Sequence, residues 1–446
     1  MRRWLVCLFV MGLSWSVVSA QEQKPCGTAV LQRHRPWQQM ARSRAADDVE
    51  IPRVYQGEKR GLVILMSFPN QSFSCENPKE VWQDILNLQG YHEYNAPGSA
   101  SDYFYDQSYG QFQLVFDVVG PIEAKHPYAY YGKDKRWQKG DEFDQNDGEF
   151  IEEACRAAAD SVRFADYDWN DDGEVDLVYV IYAGYGEADY WRKDKDVIWP
   201  HMGILSVDWV DTYPDAITLQ GIRIDFYGCS NELTAKDKLT GMGTICHEIS
   251  HILGLPDLYN TVTSTSVLWY DDLMDSGNYN EEGWCPPGFS SYERYACGWL
   301  TPDTIADPRS LLAVPDSVSP LAPLHEAPDV RIWRETEESS EYYLIEYRKK
   351  ASWDRSLTSH GLIAWRIDYD AEAWRDNLVN TDATHYRVWK MAVGDMPTAI
   401  LRPLSGQEQT PVVVYDLHGR RYPSVPDVPG LYIVRYSDGT TKKVFR

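Results

Sequence analysis

Continuous runs of apolar residues predict two buried strands in the first half of the chain. One run is GLVILMSF at residues 61–68, and the other lies within EVDLVYVIYAG at residues 174–184. Neither run alternates between polar and apolar positions, which is typical of strands that are covered on both faces. The pattern therefore predicts strands inside a sheet that has helices on both sides.

Apolar residues at helical spacing lie between and around these strands. They predict one helix in NPKEVWQDILNLQGY at residues 77–91 and another in EFIEEACRAAADSV at residues 149–162. The segment SASDYFYDQSYGQFQLVFDVVGPI at residues 99–122 predicts a capped helix followed by a strand. Because strands and helices alternate up to about residue 260, we expect a sheet flanked by helices.

The segment LTGMGTICHEISHILGLP at residues 239–256 predicts an amphipathic helix, since its apolar residues fall on one helical face. His247 and His251 are four positions apart, or about 40° around the helix, so both imidazoles project from the same side. Glu248 lies beside them. The helix thus combines two metal-ligand side chains with a carboxylate.

Gly254 and Pro256 predict where this helix ends. Glycine permits a sharp turn, and the residue before a proline is biased away from the helical conformation. The turn can bring Asp257 back beneath the two histidines. Catalytic zinc requires three such ligands and an open fourth position, and a carboxylate nearby can take a proton from water. The alternative is two surface histidines on an ordinary core helix.

Composition adds limits to this interpretation. The 446 residues are 43% hydrophobic, which is enough for two or three packed units. The formal net charge of −24 favours cations and disfavours binding to nucleic acid or to anionic membranes. We therefore expect no nucleic-acid partner.

The N-terminal segment MRRWLVCLFVMGLSWSVVSA, residues 1–20, predicts a secretory signal peptide. It has a dibasic start, an apolar centre and a small-residue end. A membrane anchor is the alternative, but the apolar run is short for one. We expect export and no transmembrane helix in the mature chain.

Residues 21–56 are polar and basic, unlike the acidic remainder, and predict a pro-segment or N-terminal arm. Removal of the signal peptide leaves seven cysteines, an odd number, so at least one thiol is unpaired. Cys26 lies in this arm, and its thiolate is a candidate ligand for the open position of a zinc site, which would keep the enzyme latent. The alternative is that Cys26 forms a disulfide or is incidental.

The motif HEISHILGLPDLY, residues 247–259, resembles the HExxHxxGLPDLYD signature of the M6, or immune-inhibitor-A-like, metallopeptidases. The segments GSASDYFYDQSYGQF, DLMDSGNYN and GFSSYERYACGWL are similar to other blocks of that family and occur in the same order. The resemblance spans roughly residues 60–390. It implies an α/β (α+β) catalytic domain of the zincin or metzincin type, with a mixed sheet and an active-site helix.

The same resemblance implies roles for individual residues. His247, His251 and Asp257 would bind Zn²⁺, and Glu248 would be the general base. Met274, in DLMDSG, would be the turn methionine packed beneath the metal. We place the peptidase domain at residues 57–390, divided into an upper subdomain at 57–256 and a lower subdomain at 257–390.

The segment DWNDDGEVD, residues 168–176, predicts a Ca²⁺ loop. Oxygen ligands would come from alternate residues, namely Asp168, Asn170, Asp172, Glu174 through its backbone carbonyl, and Asp176. Tyr179 occupies the twelfth position, where an EF-hand has its bidentate glutamate. The alternative is a turn rich in Asp and Asn between a helix and a strand.

The C-terminal residues 400–446 predict a separate small β unit of short alternating strands. PVVVYDLHGRRYPSVPDVPGLYIVRYSDGTTKKVFR resembles the sorting domain of type IX secretion cargo, which implies the type IX machinery as a partner and passage across an outer membrane. The alternative is an ordinary terminal β unit.

These features together predict a secreted or cell-surface zinc endopeptidase that hydrolyses protein or peptide substrates with metal-activated water. Two other functions stay open. One is a calcium-dependent surface adhesin on an inactive peptidase scaffold. The other is a zinc hydrolase that acts on a bond other than a peptide bond.

Overall fold

A computed structural model describes most of the chain between residues 55 and 445. The described ranges are 55–138, 141–188, 196–207, 216–313, 319–336, 339–397, 411–416, 421–422, 431–436 and 441–445. The predicted signal peptide, the basic arm and Cys26 lie outside them. The chain divides into two compact units, Met1–Met396 and Pro397–Arg446.

The first unit contains two five-stranded sheets and several helices. Its strands are β1 (Gly57–Ser67), β2 (Phe112–Glu123), β3 (Asp134–Gln138), β4 (Asp141–Asp144), β5 (Val178–Tyr185), β6 (His201–Ile204), β7 (Ile217–Leu219), β8 (Ile222–Ile224), β9 (Phe226–Leu233), β10 (Asp303–Thr304), β11 (Arg331–Trp333), β12 (Glu341–Arg348), β13 (Gly361–Asp368) and β14 (Val388–Ala392). Its helices are α1 (Pro78–Asn87), α2 (Ala100–Gln107), α3 (Tyr128–Tyr131), α4 (Asp147–Ala158), α5 (Gly243–Ile252), α6 (Ser291–Ala296) and α7 (Ala371–Arg375).

The first sheet has the strand order β2-β1-β5-β9-β6 and is mixed. Strands β2, β1, β5 and β9 pair in parallel, and β6 pairs antiparallel with β9 at the edge. The two apolar runs form β1 and β5, next to each other inside the sheet. The predicted mixed α/β fold is confirmed.

Side chains of β1 explain why the apolar run does not alternate. Leu62, Ile64 and Met66 enter one hydrophobic core, whereas Val63 and Leu65 enter a second core on the other face of the sheet. Successive strand residues point to opposite faces, so a strand covered on both faces is apolar at every position.

Helices cover both faces of this sheet. Helices α1, α2 and α5 contribute to the core that contains Val63 and Leu65, and α4 contributes to the opposite core. Helix α2 begins as the sequence predicts: the Ser99 hydroxyl accepts a hydrogen bond from the Asp102 amide, and the Asp102 carboxylate accepts one from the Ser99 amide. Residues of α5, which carries the HExxH motif, thus share one core with α1 and α2.

The second sheet has the order β10-β11-β12-β13-β14 and is antiparallel except for the β10-β11 pair. Strand β12 repeats the arrangement of β1, because Tyr342 and Leu344 join the core that contains α5 residues while Tyr343 and Ile345 join a third core. The second sheet is therefore packed into the same core as the HExxH helix.

The second unit is a sheet of four strands, β15 (Pro411–Asp416), β16 (Arg421–Tyr422), β17 (Leu431–Tyr436) and β18 (Thr441–Phe445). Each adjacent pair in the order β16-β15-β17-β18 is antiparallel. The resemblance of this unit to a secretion sorting domain stays a prediction.

Cysteines in the described residues form no disulfide with one another. The unpaired thiols are Cys75, Cys155, Cys229, Cys246, Cys285 and Cys297. Within the same residues, no helix is both long and apolar enough to cross a membrane.

A buried arginine joins β12 to the two loops that pack against it. The Arg348 guanidinium donates to both carboxylate oxygens of Asp354, at 2.9 and 2.5 Å, and to the Gly288 carbonyl at 2.8 Å. Its third nitrogen lies 3.3 Å from the Glu346 carboxylate. Arg348 and both carboxylates are buried, so each charge depends on the others for compensation.

We expect Arg348→Met to lower the free energy of unfolding by about 3–5 kcal/mol, because it leaves Asp354 and Glu346 buried without their counter-charge. The measurement is urea unfolding followed by tryptophan fluorescence. The control is Arg355→Met, which breaks a partly exposed pair with Glu281 and should cost less than about 1 kcal/mol. Equal losses of unfolding free energy in the two variants would contradict the dependence of Asp354 and Glu346 on the buried charge of Arg348.

Candidate metal centre

Helix α5 carries the HExxH motif and is buried at every position except Thr244. It begins at Gly243, where an added Cβ would meet the Asn278 carbonyl oxygen at 2.0 Å, so no larger residue fits without displacing that backbone. His247, Glu248 and His251 are each at most 1% exposed. Histidines on a surface face of this helix, the alternative that the sequence leaves open, are not what the structure shows.

The helix ends in a left-handed glycine turn. Gly254 has φ +91°, its amide donates to the His251 carbonyl at 2.9 Å, and the Leu255 amide donates to the Ser250 carbonyl at 3.1 Å. This pair of hydrogen bonds defines a Schellman motif, which reverses the chain direction at low cost only for glycine. The predicted role of Gly254 is confirmed, and the reversal brings Asp257 to the histidines.

The three predicted metal ligands converge on one point. The Asp257 Oδ1 atom lies 3.2 Å from His247 Nε2 and 3.3 Å from His251 Nε2. Ligands at about 2.0–2.1 Å from a tetrahedral ion are separated by roughly 3.3–3.4 Å. The donor atoms are therefore already spaced as neighbouring ligands of Zn²⁺, and this set of residues fits the ion.

Backbone carbonyls hold both imidazoles in one orientation. The Nδ1 atom of His247 lies 2.7 Å from the Leu273 carbonyl oxygen, and that of His251 lies 2.8 Å from the Leu255 carbonyl oxygen. A carbonyl only accepts, so each Nδ1 must carry its proton and donate. This leaves both Nε2 atoms, which face Asp257, to carry a proton or bind a metal ion, as in metal-binding histidines whose other nitrogen is hydrogen-bonded.

The turn that contains Met274 connects the two ends of the site. Its Leu273 carbonyl accepts from His247, and the Met274 carbonyl accepts from the Leu258 amide at 2.8 Å, one residue after Asp257. The Met274 side chain is fully buried in the core that α5 shares. Its special role beneath the metal stays a prediction, while its backbone demonstrably links two ligand-bearing segments.

Asn377 holds the third ligand, and the sequence analysis did not identify it. Its side-chain amide donates to Asp257 Oδ2 at 2.6 Å, and its side-chain oxygen accepts from the Asp257 amide at 2.7 Å. Asn377 has φ +52°, a left-handed conformation that asparagine tolerates better than most residues. Both bonds fix the Asp257 carboxylate with Oδ1 toward the histidines.

Electrostatics at the centre favour a bound cation. Burial tends to lower the pKa of His247, but its hydrogen bond to Asp257 and the charge of Glu248 raise that pKa to about 9. Burial tends to raise the pKa of Asp257, but His251 and His247 together hold it below its usual value. The carboxylate is therefore anionic, and positive charge beside it is stabilised.

The predicted calcium loop is arranged around backbone amides. The Asp168 carboxylate accepts from the Gly173 amide at 2.8 Å, and the Asp172 carboxylate accepts from the Glu174 amide at 2.9 Å. Asn170 donates to Asp172 at 2.9 Å, while Asp176 accepts from the Trp169 amide at 2.5 Å. Of the described His, Cys, Asp and Glu side chains, two groups cluster tightly enough for an ion, and neither contains a loop residue.

Comparisons with known sequences agree with the geometry of the centre. The family described as "Immune inhibitor A peptidase M6, catalytic domain" matches residues 64–297, which is more than half of the chain. The matched segment contains α5 and all three candidate ligands. The chain belongs to the M6 peptidase family, whose members are metallopeptidases.

Individual relatives are distant. The chain is 28% identical over 178 residues to Immune inhibitor A of Bacillus thuringiensis subsp. alesti, which covers 36% of this chain. It is 28% identical over 242 residues to the "Pre-pro-metalloprotease PrtV" of Vibrio cholerae serotype O1, which covers 48% of this chain. In both cases the aligned part spans 25% of the relative's own length.

We expect Asn377→Ala to weaken zinc binding by roughly 10- to 100-fold, because Asp257 loses the two hydrogen bonds that orient it. Competition with a chromogenic chelator measures the affinity. The control is Asn77→Ala, at an exposed position before α1 whose side chain makes no capping hydrogen bond. An unchanged zinc affinity in Asn377→Ala would show that Asp257 needs no support from this residue.

Proposed function

We propose that the protein is a secreted, zinc-dependent endopeptidase. The observation that carries the proposal is the convergence of His247, His251 and Asp257, with Glu248 on the same helix. One ligand atom from each of the two histidines and one Glu248 oxygen lie within 4.8 Å of one another. Three ligands and an adjacent carboxylate are what metal-assisted hydrolysis requires.

Glu248 would act as the general base. Zn²⁺ in such a site lowers the pKa of water and polarises a carbonyl. Glu248 would accept the proton of the attacking water and then donate it to the leaving amine. Its burial excludes bulk water from the carboxylate, which strengthens its electrostatic interactions within the site. His247, His251 and Asp257 would hold their positions throughout.

A peptide substrate has a suitable docking element in β6. This strand ends the first sheet, pairs with β9 alone among the described strands, and contacts α5. An extended peptide can add to a sheet edge through backbone hydrogen bonds, which are independent of its side chains. We propose that the substrate lies along β6 and thereby reaches Glu248. This arrangement would suit protein or peptide substrates.

Export and processing belong to the same proposal. Residues 1–20 would direct secretion, residues 21–56 would be the pro-segment or arm, and residues 400–446 would be read by the type IX machinery. The peptidase domain would occupy residues 57–390. Cys26 would be the thiol that keeps the precursor latent, since a thiolate is a good zinc ligand. The protein would then act outside the cell or at its surface.

Calcium would act as a stabilising ion at the loop formed by residues 168–176. The loop already presents carboxylate and amide oxygens from alternate residues, which Ca²⁺ prefers as ligands. The amide hydrogen bonds of Asp168 and Asp172 would keep the loop folded with or without the ion.

We expect Glu248→Ala to lose several orders of magnitude in peptide hydrolysis and to keep its zinc, because the base is removed while the ligands remain. Digestion of a denatured protein, followed by peptide mapping, measures the activity, and elemental analysis measures the metal. Glu326→Ala, on a half-exposed side chain, is the control. Retention of more than about a tenth of the activity would remove Glu248 from this role. Activity that persists only on non-peptide bonds would favour the other hydrolase function.

We expect Asp257→Ala to lower both zinc content and activity, since two imidazoles alone hold zinc poorly. Zinc per chain is measured after dialysis, beside the Asp257→Asn variant, which keeps the shape of the side chain and removes its charge. If zinc at the centre is unchanged in both variants, another residue completes the ligand set.

A further inference from the structure

A second group of buried metal-ligand side chains lies at the first sheet, outside the HExxH centre. Asp144 ends β4, Asp147 begins α4, and His201 begins β6. One ligand atom from each of the three lies within 4.8 Å of the others. Asp144 and Asp147 are 7% exposed and His201 is 3% exposed. The sequence analysis gave these residues no role.

His201 is held in the orientation of a metal-binding imidazole. Its Nδ1 atom lies 2.6 Å from the Trp199 carbonyl oxygen, so Nδ1 donates and the Nε2 lone pair points the other way. Nε2 lies 3.4 Å from Asp147 Oδ2 and 2.9 Å from the Tyr227 hydroxyl. The same hydroxyl lies 3.4 Å from Asp147 Oδ2.

These three donor atoms therefore form a triangle with edges of 2.9, 3.4 and 3.4 Å. Neighbouring ligands about 2.0–2.2 Å from an ion are separated by roughly 2.9–3.5 Å, depending on the coordination number. The triangle has the dimensions of one face of a coordination sphere.

Asp144 provides evidence for a bound ion that does not depend on these three distances. Its Oδ2 atom accepts from the Trp199 amide at 2.8 Å, whereas its Oδ1 atom is buried and has no hydrogen-bond partner among the described residues. A buried carboxylate oxygen without a partner is costly unless it binds a proton or a cation. Burial and the charge of Asp147 raise the pKa of Asp144 well above its usual range, and Glu187 adds to this effect. A proton or a cation at Oδ1 would therefore satisfy this carboxyl group.

We propose that Asp144, Asp147 and His201, with the Tyr227 hydroxyl beside them, bind a second divalent transition-metal ion such as Zn²⁺. Two carboxylates and one neutral imidazole balance the charge of a dication. The nitrogen ligand disfavours Ca²⁺ and Mg²⁺, which take oxygen ligands, and suits zinc or manganese. The alternative occupant is a proton shared by Asp144 and the His201–Asp147 pair.

This second ion is structural and takes no part in the chemical step of peptide hydrolysis. Tyr227 contributes to the core on the α4 side of the sheet, while the α5 side chains Ile245 and Ile249 contribute to the core on the other side. The ion joins the end of β4, the first turn of α4 and the edge strand β6. Its removal would loosen these three elements without removing a ligand of the HExxH centre.

The experiment counts zinc in the full chain carrying Glu248→Gln, which prevents self-digestion under the proposed mechanism. After equilibration with zinc and dialysis, we expect about two zinc ions per chain by elemental analysis, and about one after adding Asp144→Asn. Asp160→Asn, at an exposed position after α4, is the matched control and should keep both ions. One zinc ion in the parent chain, or two in the Asp144→Asn variant, would overturn the proposal.

A melting experiment tests the same site without relying on that count. Zinc should raise the melting temperature of an Asp257→Ala chain, in which the HExxH centre is impaired, and the rise should disappear when Asp144→Asn is added. In chelator alone, Asp144→Asn should melt no lower than its parent, because the side-chain oxygen of Asn can still accept from the Trp199 amide and the substitution removes a carboxylate beside Asp147. A zinc effect of equal size with and without Asp144→Asn would show that the ion binds elsewhere.

Discussion

The candidate metal centre depends on one constraint: Asp257 must return to within about 3.3 Å of two imidazoles on the preceding helix. A straight continuation of α5 would carry it away. The left-handed Gly254 reverses the chain, the carbonyls of Leu255 and Leu273 fix the imidazoles, and Asn377 fixes the carboxylate. These supports come from three segments of the first unit: the turn after α5, the turn that contains Met274, and the segment after α7.

Local patterns were sufficient to predict the elements that carry the chemistry. The helical spacing of His247 and His251, and the glycine that follows them, depend on residues within one turn of each other. The apolar runs of β1 and β5 likewise report burial on both faces without reference to distant residues. The family match covers α5, β5 and the end of β1. The HExxH helix pattern, the buried strands and the metallopeptidase class could therefore be predicted from the sequence.

Contacts between distant residues were not predictable in this way. Asn377 meets Asp257 across 120 positions, and its segment has no periodicity or motif that marks it as a support for a ligand. Asp144 and Asp147 are separated from His201 by more than 50 residues, and a lone histidine at a strand start resembles any other. Such residues become visible only when the fold brings them together, because side-chain chemistry alone carries no information about distant partners.

Asn377 lies 120 positions after Asp257, so it is synthesised later. A chain that emerges N-terminus first presents the complete HExxHxxGLPD motif before the residue that orients its third ligand exists. Until the second sheet and the segment after α7 have folded, Asp257 lacks both of its reciprocal hydrogen bonds. The candidate metal centre can therefore be completed only late in the folding of the first unit, and a chain that ends before Asn377 would carry the motif without the residue that orients Asp257.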